Sequence, residues 1–389
     1  MPKNVKLQNT IRYYLLFVSL GFGLGITGPA LPSLAAQTGS TLGSIGSIFL
    51  VSSLGGILGT VVGGRIFDRV ERGHLVLGLA QILAALALAA TPLAGSLVVL
   101  LVIGFFSGLP GGMINTGANT LLMWTHGKGA NPYINGLHFA FGLGAFLAPT
   151  VFAQVLNWGG TYQYAYWALA SLALLVGVYL ATSPGSPEHP DKHERGIQSK
   201  GELRAVLPVA LVAMLFLFFY VGSELTFANW AYTYAITLNL ADATRAAYVT
   251  SGFWLSFTIG RALSIPVAAR FKPVHILTVA FLGGLTAISL SIFNSNSIQI
   301  LWASAITVGF FMAPIWATGF NFAGQSIKLT ATMSSIIILG DSFGAVVLPW
   351  VTGLAIERWG AQTMPQLVFG SLAICAMMFV VMVWQRRPC

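Results

Sequence analysis

Apolar residues in this chain fall into long runs, broken only by short polar or Gly/Pro punctuation. The runs are 13–36, 42–64, 74–93, 96–124, 133–156, 162–182, 205–236, 246–269, 273–293, 297–322, 330–355 and 363–384. A helix needs about 20 apolar residues to cross a bilayer, and each of these runs is long enough. Several are longer than the bilayer requires, which implies tilted or broken helices. Inside hydrocarbon every backbone N–H and C=O needs an internal partner, so helices are the form such runs take. The pattern predicts an all-α polytopic membrane protein with twelve transmembrane helices.

Composition agrees with the pattern. Of 389 residues 7% are charged and 56% hydrophobic, and mean hydropathy is +0.80. A water-soluble domain carries about 25% charged residues, so lipid must solvate most of this surface. The net charge of +9 would suggest nucleic acid in a soluble protein, but its placement argues otherwise. Lys3, Lys6, Arg12, Arg65, Arg69, Arg72, Lys128, Arg270, Lys272, Lys328, Arg386 and Arg387 fall in loops on one side, with the hydrophilic stretch 183–204, while the other side has Arg245 and Arg358. Basic loops face the cytoplasm, so both termini and the middle loop are expected there, with the protein multi-pass in the plasma or inner membrane. Met1 to Arg12 is a polar, basic lead-in with no small-residue cleavage pattern after it, so the first run is read as a retained span. Cys375 and Cys389 have no disulfide partner or zinc-ligand spacing.

The stretch 183–204 (SPGSPEHPDKHERGIQSKGELR) reads as a flexible linker. It divides the chain into a six-helix bundle over 1–182 and a second over 205–389. Internal similarity supports the division. Gly144-Ala145-Phe146-Leu147-Ala148-Pro149 returns as Gly344-Ala345-Val346-Val347-Leu348-Pro349, Gly104-Phe105-Phe106 as Gly309-Phe310-Phe311, and Gly64-Arg65 as Gly260-Arg261. Offsets of about 200 residues suggest a duplicated unit, a plan that places a substrate site at the midplane between repeats.

The charged segment Gly64-Arg65-Ile66-Phe67-Asp68-Arg69-Val70-Glu71-Arg72-Gly73 resembles the G-x-x-x-D-R-x-x-R/G loop between the second and third helices of major facilitator superfamily transporters. Other spans resemble the fucose permease branch and, more closely, the sodium-dependent glucose transporters. The matching segments are Gly21 to Pro32, Ile114-Asn115-Thr116-Gly117-Ala118-Asn119-Thr120, Gly136-Leu137-His138-Phe139-Ala140-Phe141-Gly142-Leu143-Gly144-Ala145, and Tyr220 to Glu224 with Asn229-Trp230-Ala231-Tyr232. The resemblance implies a monosaccharide carrier working by alternating access, with a broken seventh helix. It also implies that Gly64, Asp68, Arg69 and Arg72 latch the cytoplasmic gate against the end of the eleventh helix; a plain topology signal is the simpler role. Proton-linked carriers of this kind hold acids where this chain has Gly28 and Asn115, which puts coupling by that route in doubt.

Two acids fall inside spans, Glu224 and Asp341. A carboxylate at the bilayer centre costs on the order of 3 kcal/mol, so it needs a partner or a function. Each is a candidate to bind the coupling cation, and Glu224 also the substrate; a structural ion pair with Arg261, or for Asp341 a proton held by desolvation, are the alternatives. His138, Asn115, Asn119, Asn229 and Asn321 offer donors and acceptors suited to sugar hydroxyls, with interhelical bonding as the alternative for the amides. Trp230, Tyr234, Trp254 and Trp316 could stack on a sugar ring or fill the core. Trp158 and Trp359 read as interface anchors. Gly108, Gly111 and Gly112 around Pro110 mark a break or a close crossing.

The expected function is cation-coupled import of a hexose, sodium before proton, by a functional monomer that needs no cofactor beyond the coupling ion. An exporter of lipids or hydrophobic drugs and an uncoupled sugar facilitator are the alternatives. The export reading lacks a G-x-x-x-G-P-x-x-G-G motif on the fifth helix. A membrane enzyme is disfavoured, since no H-E-x-x-H occurs and the single G-x-S-x-G, Gly340-Asp341-Ser342-Phe343-Gly344, lies inside an apolar run rather than at a strand-to-helix turn. His189 and His193 are separated by Pro190, which spoils a helical metal pair.

Overall fold

The structure, a computed structural model, describes residues 3–187, 200–324 and 331–385, excluding the side chains of Lys128, 200–206 and 331–335. The described residues form twelve helices long and apolar enough to cross a membrane. They are α1 (Lys3–Thr38), α2 (Leu42–Phe67), α3 (Gly73–Leu93), α4 (Leu97–His126), α5 (Asn131–Asn157), α6 (Tyr162–Ala181), α7 (Lys200–Thr237), α8 (Ala243–Arg270), α9 (Pro273–Phe293), α10 (Ile298–Gly324), α11 (Ala331–Trp359) and α12 (Thr363–Gln385). No strand occurs among the described residues. Large apolar side chains such as Val98, Leu175, Leu282 and Phe293 are exposed, as a lipid-solvated surface requires.

Two compact units divide the chain, one of residues 1–192 with 242–251, the other of 193–241 with 252–389. Residues 188–199 of the stretch 183–204, with His189 and His193, lie outside the described residues. Lys328, Arg386, Arg387 and Cys389 lie outside them too.

In the first unit α1 packs along α5, α2 along α4, and α3 along α6; in the second, α7 packs along α11 and α12, and α9 along α10 and α12. Glycines set the closest crossings. A Cβ on Gly144 would stand 2.0 Å from the Val18 carbonyl oxygen, and one on Gly344 2.1 Å from that of Phe218. Both glycines and both partners are one repeat length apart, so the duplicated motif performs the same packing twice. Likewise a Cβ on Gly55 would meet the Phe105 oxygen at 2.2 Å, and one on Gly260 the Phe310 oxygen at 2.7 Å. Gly260 is therefore the packing counterpart of Gly55, not of Gly64, beside which a Cβ would find open space. The Gly64-Arg65 match is out of register, and Arg261 is a mid-span residue with no twin in the charged loop.

Two expectations are corrected, and one pair of alternatives is decided. The polar lead-in to Arg12 is not outside the helix: α1 starts at Lys3, and Asn9, Thr10 and Arg12 are buried. They have partners there. Thr10 Oγ1 pairs with His126 Nε2 at 2.7 Å, Arg12 donates to Asn9 Oδ1 at 2.7 Å, and Asn9 Nδ2 donates to the Gly185 carbonyl at 3.0 Å. The seventh helix is not broken; α7 runs unbroken for 38 residues. The break is in α10, which stops at Met312 and resumes at Ile315. Pro314 explains it, having no N–H for the preceding turn and a ring that crowds it. At Pro110 the backbone stays helical, and close packing is what the glycines serve: a Cβ on Gly108 would fall 1.8 Å from the Ser52 oxygen.

Candidate functional site

In the first unit α4 presents Asn115 and Asn119 one turn apart. Asn119 Nδ2 donates to the Asn115 carbonyl at 2.8 Å and to its Oδ1 at 3.3 Å. The amides therefore bond along their own helix instead of gluing two helices together. Asn115 is exposed and Asn119 half-buried, so both keep hydrogen-bonding capacity for a ligand. His138 of α5 is half-buried and meets the Phe17 ring of α1 edge-on at 5.9 Å.

In the second unit Glu224 lies buried on α7. Tyr220, a turn earlier, and Arg261 of α8 are its electrostatic neighbours, and Asp341 of α11 feels both Glu224 and Arg261. The direct ion pair considered for Arg261 does not form: among the described residues no contact of 4.0 Å or less joins it to either acid. Its guanidinium lies over the Phe257 ring instead, 4.6 Å from the centroid. Tyr220 donates to the Met312 carbonyl at 2.9 Å, tying α7 to the point where α10 breaks. That tie was not legible in the sequence, because its acceptor is a backbone atom.

The aromatic candidates separate by burial. Trp230 is buried and donates to the Pro349 carbonyl at 2.8 Å. Tyr234 is buried with its hydroxyl towards the carbonyls of Ser291 and Ser295, at 3.5 and 3.4 Å. Trp254 is packed against Phe253 and Phe257. These three fill the interior and offer no face for stacking. Asn229 is also buried and bonds to the Leu225 carbonyl of its own helix at 2.9 Å. Trp316 differs: it is half-buried, stacked parallel on Phe320 at 5.4 Å, on the same short helix as exposed Asn321. Phe320 was missed, although its spacing of four from Trp316 was the available signal.

The charged loop closes α2 at Asp68, whose N–H donates to the Gly64 carbonyl at 3.1 Å. Asp68, Arg69 and Arg72 are exposed and line a cavity of about 910 Å³ with His74 and Ser183 to Ser186. Below it His74 Nε2 meets Tyr13 Oη at 2.8 Å, and Arg12 reaches the Pro184 carbonyl at 3.4 Å. The partner expected for this loop, the end of the eleventh helix, belongs to the second unit. Trp158 and Trp359 are 79% and 69% exposed at their span ends, where interface anchors stand.

Twelve apolar helices, with polar groups set within their spans, define a polytopic membrane protein. The chain belongs to the Major Facilitator Superfamily, whose family model matches residues 13–349. It is 28% identical over 408 residues to sodium-dependent glucose transporter 1A of Mus musculus, covering 95% of each chain. It is 27% identical over 397 residues to sodium-dependent glucose transporter 1 of Homo sapiens, covering 92% of this chain and 74% of that one. Among solved structures it resembles the partially occluded, inward-open xylose transporter XylE from E. coli, with TM-score 0.77, 14% identity and coverage of 99% and 98%. A nucleoside transporter, NupG, matches with TM-score 0.75, 13% identity and coverage of 99% and 100%.

Proposed function

We propose that this protein is a secondary carrier that imports a monosaccharide by alternating access, coupled to a cation, with sodium favoured over a proton. The observation that carries this reading is the end-to-end similarity to sodium-dependent glucose transporters. The chemistry in each unit supports it. Asn115, Asn119 and His138 offer the mixed donors and acceptors that sugar hydroxyls require. Trp316 on Phe320 offers an aromatic face, with the Asn321 amide on the same helix. Glu224 and Asp341 supply carboxylate oxygens that form no ion pair among the described residues, the donor type a cation site needs. The backbone break that such a cation could use is in α10, not in α7. Asp68, Arg69 and Arg72 latch the cytoplasmic gate in this scheme, and both termini are cytoplasmic.

The deciding experiment is uptake of labelled hexoses into proteoliposomes, with and without a sodium gradient at fixed pH. Sodium-driven accumulation of a hexose supports the proposal. Hexose equilibration indifferent to sodium and to pH gradients would make the protein a facilitator, and no hexose flux at all would remove the sugar assignment.

A further inference from the structure

The second unit has a furrow whose lining includes none of the side chains assigned above to the sugar or the cation. Its volume is about 310 Å³, and α8, α9 and the bend of α10 enclose it. Small residues are part of its lining: Gly260 and Ser264 on α8 and Ala280 on α9, with Pro314 at the bend of α10. Leu263, Val267, Val279 and Phe310 make its rim apolar, and all four are exposed.

The end of the furrow is different in character. α8 finishes at Arg270, and after Phe271 and Lys272 the chain enters α9, whose first turn carries His275. Phe271 and His275 line the furrow, and Arg270, Lys272 and His275 are exposed. Among the described residues no carboxylate forms an ion pair with Arg270 or Lys272. From Gly260 to Arg270 the helix rises about 15 Å at 1.5 Å per residue. That is half of a hydrocarbon core of about 30 Å, or the depth of one leaflet.

We propose that this furrow is a binding site for a single anionic phospholipid. One acyl chain lies between α8 and α9 down to the α10 bend, and the phosphate sits on Arg270 and Lys272. Charge complementarity selects the occupant. An apolar helix surface needs only bulk lipid, but a one-leaflet furrow flanked at its end by basic residues that form no ion pair among the described residues fits an amphiphile with a negative head. The site is independent of what the carrier transports.

The test uses the full chain in detergent micelles, titrated with dioleoyl phosphatidylglycerol or dioleoyl phosphatidylcholine and read by native mass spectrometry. The parent protein should retain one phosphatidylglycerol in about tenfold preference, since each basic residue near the surface favours an anionic lipid. The double variant Arg270→Gln/Lys272→Gln should bring the two lipids close to parity for that one molecule. Ser264→Leu, which fills the furrow and leaves the charges intact, should also weaken retention; Val279→Trp at the rim serves if Ser264→Leu does not fold. Preference unchanged in the double variant overturns the proposal. Full retention in folded, furrow-filled variants overturns it too, because surface charge alone would then suffice. Displacement of the bound lipid by equimolar inorganic phosphate would likewise overturn it, by making the site one for free phosphate.

Discussion

Gly344 lies so close to Phe218 that a single added carbon would come within 2.1 Å of the Phe218 carbonyl oxygen. Gly144 and Val18 repeat the relationship in the other unit. Overpacking of this kind costs about 1–3 kcal/mol when the backbone cannot yield. Gly344→Ala and Gly144→Ala should each lower the unfolding temperature of the purified protein. Gly64→Ala, where a Cβ meets nothing, is the matched control and should leave it unchanged. Equal behaviour of all three would refute the packing account.

For the cytoplasmic loop, Asp68→Asn should fold normally, because the residue is exposed. It should transport more slowly, since a latched state would lose a charge-assisted contact worth about 1.5–3 kcal/mol. A parental transport rate at matched expression would leave the loop with only its role in orienting the chain.

Sugar recognition gives a prediction for each unit. His138→Ala and Asn119→Ala should each weaken hexose binding by about 1–3 kcal/mol through unpaired hydroxyls in a desolvated site. Trp316→Ala should weaken binding with little loss of stability. Trp254→Ala should do the reverse, at about 3–5 kcal/mol of stability for a buried tryptophan. Calorimetric binding and thermal unfolding measured on the same four variants separate the two classes. Intact hexose binding in His138→Ala, Asn119→Ala and Trp316→Ala together would mean that the sugar sits elsewhere.

Coupling should reside in the second unit. Glu224→Gln or Asp341→Asn should abolish gradient-driven accumulation while sparing counterflow exchange, as loss of a coupling charge requires. If both variants still concentrate sugar, neither carboxylate couples. Loss of exchange together with accumulation would instead assign the residue to substrate contact or to the fold.

The spans were legible in the sequence to within a few residues, except at the start of α1, because lipid tolerates so few polar positions. The polar candidates Asn115, Asn119, Glu224 and Asp341 stood out for the same reason. What stayed hidden depended on partners far along the chain. Asn9 and Arg12 read as water-facing until Gly185 and Pro184 are placed beside them. Aromatic identity could not separate Trp230, whose indole N–H is committed to Pro349, from Trp316, which keeps an accessible face. The seventh-helix break came from resemblance, and α7 carries its only internal proline at Pro208, far from Glu224. The register of the repeat was misread at Gly64 because an adjacent arginine made the Gly-Arg pairs look alike. Packing distances, which a sequence does not contain, restore the match to Gly55.

The polar start of α1 has a mechanical consequence. Segment 183–185 leaves the end of α6 held by three groups from outside α6: His74 near the Ser183 carbonyl at 3.4 Å, Arg12 on Pro184, and Asn9 on Gly185. In a rocking carrier any tug along the chain that follows would reach these anchors first. The load would pass sideways into α1 and α3 rather than peeling open the last turn of α6, much as a cable clamp spares the solder joint behind it.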